Sequence, residues 1–477
     1  MRFTPDGGNE MLRLTGKGFE PFAKIGLEDA LTTSPIGFDK TGRVLYMADS
    51  RDRDTAALAA IDIETGNKTV IASNSRADLG NALIHTTEKT MQAVAFTYER
   101  REWQILDRSI EGDIDYLRKV SGGDMEVISR TLDDTNWLVA YIVDDGPVRY
   151  YRYDRTAKKA HFLFTNRKAL EGLSLAKMHP VIVKTRDGLD MVSFLTLPQG
   201  TDTDGGARPS KPLAMVLFVH GGPWARDEWG FNPTHQWLAN RGYAVLSVNF
   251  RGSTGFGKEF VNAGNMEWGR KMHDDLIDAI EWAVKEGIAD RKRIAIMGGS
   301  YGGYATLAGM TFTPDKFACG VDIVGPSNLV TLLNTIPPYW TPAVELFKKR
   351  VGDHTTEEGR EFLLDRSPLT YADRIRSPLL IGQGANDPRV KQNESDQIVR
   401  EMQVKNIPVT YVLYPDEGHG FVRPENRLSF NAVAEIFFSG CLGGRYEPVG
   451  DDFRGSSITV SVGAEQVDGL KEALGDK

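Results

Sequence analysis

Ser300 lies in Gly298-Gly299-Ser300-Tyr301-Gly302, a G-x-S-x-G pattern. Before it, Ile294-Ala295-Ile296-Met297 reads as a buried strand, and after it Tyr304 to Met310 continues as a helix. Strand, sharp turn and helix are the setting that turns this loose pattern into a nucleophile elbow. Such a turn forces the serine backbone into a sparsely populated region, and small neighbours keep it free of clashes. Alone, the pattern fits a Gly-rich turn with an incidental serine equally well, so its partners decide. A nucleophilic serine needs a base, and the base needs an orienting acid. Asp387, in Asn386-Asp387-Pro388-Arg389-Val390, and His419, in Glu417-Gly418-His419-Gly420, follow in the order acid, then histidine. Separately, Asp387 reads as a turn residue before proline and His419 as a surface or capping histidine. Together, each just after a strand, they complete a triad. His419 would take the Ser300 proton, while Asp387 fixes its tautomer and stabilises the imidazolium.

The tetrahedral intermediate of acyl transfer also needs hydrogen-bond donors for its oxyanion. The backbone N–H of Tyr301, directly after the serine, is one. The other is expected from the loop Phe218-Val219-His220-Gly221-Gly222-Pro223-Trp224, where glycines let the backbone approach a substrate, and Gly222 is the choice. A packing turn is the alternative reading of that loop. His220 is expected to shape it; no H-E-x-x-H or similar metal-ligand spacing occurs, so neither a metal nor a cofactor is expected.

These residues require an α/β sheet. Strands are predicted at Val181–Lys184, Met191–Leu197, Ala214–Val219, Ala244–Val248, Ile294–Met297, Val321–Val324, Leu379–Gly382 and Val409–Leu413, alternating with helices. Met272 to Glu286 places Leu276, Ile280, Ala283 and Val284 on one helical face, and Glu435 to Cys441 ends another apolar helix. The first third reads differently. Strand runs at Val44–Met47, Ala93–Phe96 and Leu138–Ile142 start about 45 residues apart, a propeller-blade period. Leu58–Ile63 and Thr69–Ile71 form a hairpin around Glu64-Thr65-Gly66-Asn67, and Val148–Tyr153 with His161–Phe164 repeat the plan. The fold class is therefore a C-terminal α/β-hydrolase domain preceded by a partial all-β propeller of about three to four blades. The expected boundaries are 1–172 for the blades, 173–446 for the hydrolase and 447–477 for a polar, loosely associated tail.

At 477 residues the chain exceeds one ordinary core, and 41% hydrophobic with 26% charged residues is a globular composition. A net charge of −8 without a Lys/Arg block argues against nucleic acid as a partner, and no apolar run reaches membrane-spanning length. Cys319 and Cys441 are read as separate, inert core thiols. The polar start, Met1 to Glu10, has no signal-peptide profile, so a cytoplasmic location is expected.

Five ordered motifs resemble the prolyl oligopeptidase family, with its acylaminoacyl-peptidase-like branch as the nearest match. They are His220-Gly221-Gly222-Pro223, Asn249-Phe250-Arg251-Gly252-Ser253-Thr254-Gly255-Phe256-Gly257, the Ser300 elbow, Asn386-Asp387-Pro388-Arg389-Val390 and Gly418-His419-Gly420. The resemblance covers about Val181 to Cys441 and implies a propeller before an α/β-hydrolase, with Ser300, Asp387 and His419 as the triad and Gly222 and Tyr301 as oxyanion donors. It also implies that Arg389 binds the carbonyl of the residue preceding the one at the scissile bond, a task suited to a fixed guanidinium fork; a surface salt bridge is its plainer role. The segment carrying Tyr339 and Trp340 would help line the side-chain pocket, or else pack between hydrolase and propeller. Family propellers have seven or eight blades and filter substrates by size; this chain has room for about half, which implies a fragment or a more open site.

The expected function is a serine hydrolase cleaving peptide bonds of short or N-acylated peptides through an acyl-enzyme. A carboxylesterase with the same triad is the first alternative, and a non-catalytic propeller-hydrolase scaffold the second. The expected partner is a short peptide or acyl-ester substrate, and self-association into a homo-oligomer is compatible with the sequence.

Overall fold

A computed structural model describes residues 1–202 and 205–475. The chain divides into two compact units, Met1–Val181 with Glu228–Gln236 and Ser253–Asn262, and Ile182–Asp227 with Trp237–Gly252 and Ala263–Lys477. Two segments from the later chain therefore belong with the first unit, an arrangement that a single cut near residue 172 does not anticipate.

The first unit contains four antiparallel sheets among the described residues. The first pairs Arg2–Phe3, Asn9–Thr15 and Gly18–Ile25, and the second Ser34–Phe38, Val44–Asp49, Ala57–Asp62 and Lys68–Ala72. The third pairs Leu79–Ile84, Met91–Thr97 and Arg101–Ile105, and the fourth Asp124–Arg130, Asn136–Ile142, Arg149–Asp154 and Lys159–Thr165. The periodic runs of the sequence are the second strands of the last three sheets. Both expected hairpins are present, with Ala60 opposite Thr69 and Tyr153 opposite Ala160. A short helix, Glu111–Leu117, interrupts the blades and buries Ile114 and Leu117 against Trp137, Val139 and Tyr141.

From Ile182 onward, one nine-stranded sheet forms the frame of the second unit, and its strands are numbered here β1 to β9 in chain order. They are β1 (Met178–Lys184), β2 (Asp190–Thr196), β3 (Leu213–Val219), β4 (Ala244–Val248), β5 (Ala289–Gly299), β6 (Cys319–Ile323), β7 (Leu379–Gly384), β8 (Val409–Tyr414) and β9 (Thr459–Val462). Their order across the sheet is 1-2-4-3-5-6-7-8-9. From β4 to β8 neighbouring strands are parallel, so each is covered on both faces and reads as a continuous apolar run. Three helices matter most for the site: α1 (Lys271–Lys285), α2 (Tyr301–Phe312) and α3 (Pro424–Leu442). The apolar side of α3, with Phe430, Val433 and Phe438, packs in one core with Val216, Val321 and Val412 from the sheet.

Two expectations are corrected. The segment 447–477 is no loose tail over its described part: Phe453, Ile458, Val467 and Leu470 are buried in that core. Its strand β9 pairs antiparallel with β8, Leu413 opposite Thr459, covering a sheet edge that would otherwise be open. The cysteines are not separate thiols either. Cys319, at the start of β6, and Cys441, in the last turn of α3, form a disulfide because helix and strand lie against each other, with a Cα–Cα distance of 6.3 Å. Among the described residues no helix is long and apolar enough to cross a membrane.

Candidate active site

Ser300 sits between β5 and α2 with φ 59° and ψ −117°, a backbone conformation that costs energy for a residue with a side chain. The local sequence makes it attainable. A Cβ on Gly298 would lie 2.5 Å from the Gly302 carbonyl carbon, and one on Gly302 would lie 2.1 Å from the Val219 oxygen. Both positions must be glycine for β5, the turn and α2 to come this close. The Ser300 N–H donates to the Ile323 oxygen at 2.9 Å, pinning the elbow to β6.

β7 and β8 end side by side and carry the other two members. His419 Nε2 lies 3.0 Å from Ser300 Oγ, and His419 Nδ1 lies 2.7 Å from Asp387 Oδ2. With the proton on Nδ1, donated to the carboxylate, Nε2 is left to accept from the serine hydroxyl. Asp387 is buried, and its other oxygen accepts from the Arg389 and Val390 N–H groups at 2.8 and 2.9 Å. Every face of that carboxylate used in the site is thereby fixed. Beneath it, buried Gln383 donates to the Gly384 and Val390 oxygens and accepts from Ser395 Oγ, which sets the course of the acid loop. The three predicted residues are thus brought together from positions 119 and 32 residues apart in the chain.

The loop after β3 runs beside the elbow: a Cβ on Gly221 would lie 3.4 Å from Ser300 Cβ. Gly222 has a φ of 124°, open to glycine and strained for other residues, and its bond to Pro223 is cis. The loop is anchored by stacking, as expected of His220. Its ring lies 4.5 Å from that of Phe250, which lies 5.2 Å from the ring of Tyr301. Phe250 belongs to the Asn-Phe-Arg-Gly motif, whose Arg251 is buried and pairs with Asp275 and Asp187, each at 2.7 Å. That motif is a brace for the loops around the site, and no reacting atom is called for from it.

Arg389 lies with its guanidinium carbon 5.6 Å from the Trp340 ring centre. Trp340 stacks on Phe347 at 5.5 Å, and Trp224, two residues after Gly222, meets Phe347 edge-on at 5.4 Å. Tyr339 stands at the outer end of this row, edge-on to Trp340 and 58% exposed. Sequence reasoning named Arg389, Tyr339 and Trp340 but missed Trp224 and Phe347. Trp224 directly follows the glycine-proline turn, which was the available signal; Phe347 lies in a helix with no motif of its own.

Behind the elbow, Asp322 on β6 is fully buried. One oxygen accepts from the Gly325 N–H at 2.9 Å, and the other has no hydrogen-bond partner. Burial pushes its carboxyl up to about 7.

Residues 229–445 match the prolyl oligopeptidase family. The chain is 58% identical over 474 residues to dipeptidyl aminopeptidase BIII of Pseudoxanthomonas mexicana, covering 99% of this chain and 69% of that protein. It is 44% identical over 476 residues to dipeptidyl peptidase family member 6 of Caenorhabditis elegans, covering 96% of this chain and 64% of that one. It spans about two thirds of the length of these relatives. Among solved structures, a Mycobacterium tuberculosis puromycin-hydrolyzing peptidase aligns with a TM-score of 0.76 at 21% identity, over 93% of this chain and 67% of that one, which supports the fold. Extended identity, motif order and fold agree: the chain belongs to the prolyl oligopeptidase family of serine peptidases.

Proposed function

We propose that the protein cleaves short peptides through an acyl-enzyme on Ser300, releasing dipeptides from a free N-terminus. The hydrogen-bonded chain from Ser300 to His419 to Asp387 carries this reading. Ser300 Oγ attacks the carbonyl carbon as its proton passes to His419 Nε2. The tetrahedral oxyanion accepts from the Tyr301 and Gly222 N–H groups. Collapse expels the amine, which takes the proton from His419, and water then hydrolyses the ester by the same path in reverse roles. Asp387 holds the imidazole ring and stabilises the imidazolium. Arg389 offers a fork for a substrate carbonyl, and the aromatic faces of Trp340 and Trp224 suit a side chain, an arrangement of more use to a peptide than to a simple ester. The dipeptidyl specificity is favoured over release of N-acylated residues by the names of the two relatives. The disulfide weighs against the cytoplasm as the working compartment, because cytosolic thiols are kept reduced.

The decisive measurement is kcat/KM on dipeptidyl p-nitroanilides, N-acyl-aminoacyl p-nitroanilides and p-nitrophenyl acyl esters, with Ser300→Ala as the control. Fastest turnover of the dipeptidyl anilides is expected. Preference for the N-acylated anilides would reassign the specificity, and ester cleavage without anilide cleavage would leave a carboxylesterase.

A further inference from the structure

Glu417 stands two residues before His419 and is buried, yet its carboxylate does not enter the triad. It reaches across its own loop. Oε2 accepts from the Val422 N–H at 3.0 Å, while Oε1 accepts from the Arg423 N–H at 2.9 Å and from Asn426 Nδ2 at 2.8 Å. Arg423 is the N-cap of the 19-residue helix α3, where the positive end of the helix favours a carboxylate. The Glu417 carbonyl in turn accepts from the Asn386 N–H at 2.9 Å, one residue before the acid. One residue thus ties the histidine loop to the helix that follows it and to the loop bearing Asp387.

The immediate neighbours of His419 cannot supply this restraint. Gly418 and Gly420 have no side chains to pack, and Gly420 has a φ of 99°. Phe421 gives an apolar anchor on one side, its ring 4.6 Å from Tyr414 and 4.9 Å from Phe430. The polar clasp of Glu417 holds the other.

We propose that Glu417 is a positioning residue for acyl transfer, keeping His419 in line with Ser300 and Asp387 through its clasp on the Val422 and Arg423 amides. The proposal rests on the triad reading above and adds a fourth residue to it. A glutamine at 417 would turn an NH2 group toward backbone N–H groups, so that one acceptor becomes an opposed donor. The loop would then relax, and displacements of about 1 Å at a reacting group cost about a hundredfold in rate.

The test compares wild type, Glu417→Gln, Glu417→Asp, Asp416→Asn and Ser300→Ala on the best anilide of the panel, with melting temperatures and the low-field proton resonance of the His419–Asp387 hydrogen bond. Glu417→Gln should lower kcat by about ten- to a hundredfold with KM within about twofold, and broaden the low-field resonance while the protein remains folded. Glu417→Asp keeps the charge one methylene short and should fall between; if the glutamine variant does not fold, this one decides by the same criteria. Asp416→Asn changes a neighbouring carboxylate that pairs with Arg423 and accepts from Asn426 and Ser457 but does not touch the Val422 and Arg423 amides, and should leave turnover intact. Wild-type kcat in folded Glu417→Gln, a loss confined to KM, or an equal loss in Asp416→Asn overturns the clasp. Full turnover by Ser300→Ala would bring down the triad reading and the clasp with it.

Discussion

Asp113, in the short helix between the blades, and Asp322, behind the nucleophile elbow, are both fully buried carboxyls, and the two regions treat them in opposite ways. Burial alone would push Asp113 up, but it is outweighed by an ion pair from Lys158 and by donation from Tyr153 Oη at 2.6 Å and Arg155 Nε at 3.0 Å. Its carboxyl is held below the usual range. Asp322 has a single backbone donor, and its carboxyl is pushed up. Geometry explains the difference. Asp322 faces two glycines so closely that a Cβ on either Gly303 or Gly325 would come within 2.3 Å of its Oδ1. That crowding confines Oδ1 to the Gly325 amide, and no donor reaches the buried Oδ2. Asp113 is held by paired side chains, whereas the backbone around Asp322 supplies one amide and leaves the second carboxylate oxygen without a donor.

The sharpest separation of the two regimes is Ser300→Ala. It removes one oxygen and no packing contact of note, so turnover should drop by about four orders of magnitude or more while the melting temperature stays put. A large loss of stability would show that the elbow depends on side-chain bonding after all.

The next effect in size comes from Asp322→Asn, followed by denaturant unfolding between pH 4 and pH 8. A carboxyl whose folded value is raised from 3.8 to about 7 binds more protons folded than unfolded between those values, so it costs stability as pH rises through them. At about 1.4 kcal/mol per unit, the cost above pH 7 is on the order of 4 kcal/mol. The asparagine variant should lose that slope and exceed wild type in stability at pH 8. An unchanged slope would remove Asp322 from the comparison.

Asp113→Ala is expected to cost about 3 kcal/mol in unfolding free energy, because it leaves the buried Tyr153 hydroxyl without its acceptor and removes one of the two carboxylates that hold Arg155. Its pH dependence has the opposite sign. A depressed folded value gives stability that is present above the unfolded value of 3.8 and lost as pH falls through the folded one. Acid should therefore weaken the wild-type blades and leave the variant less affected. Matching slopes for the two proteins would break the contrast.

The parallel strands were the legible part of the fold. All eight predicted strands of the large sheet are present, and for the six parallel ones, β3 to β8, coverage on both faces leaves apolar runs that cannot be mistaken for turns. Ser300, Asp387 and His419 could be located for the same reason, since each follows one of those strands. β9 was not, because an exposed edge strand of four residues is set among glycines and acids, and its buried companions Phe453, Ile458, Val467 and Leu470 occur singly. The first blade sheet was missed too: Met11 and Ile25 are buried, but Leu14 and Phe19 point outward at over 70% exposure, so no apolar alternation runs along its strands. Trp224 and Phe347 meet only in three dimensions, and Glu417 looks like any other glutamate until the amides it grips are seen.

The covalent link between Cys319 and Cys441 closes a ring of chain that contains Asp387 and His419 and leaves Ser300 outside it. A protease that nicks an exposed turn of that ring before His419 separates Ser300 from His419 along the backbone without releasing a fragment. The cut protein would run as one species in the absence of reductant and as two in its presence. Asp387 and His419 would remain tethered to the strand beside Ser300 after the backbone between them had been severed.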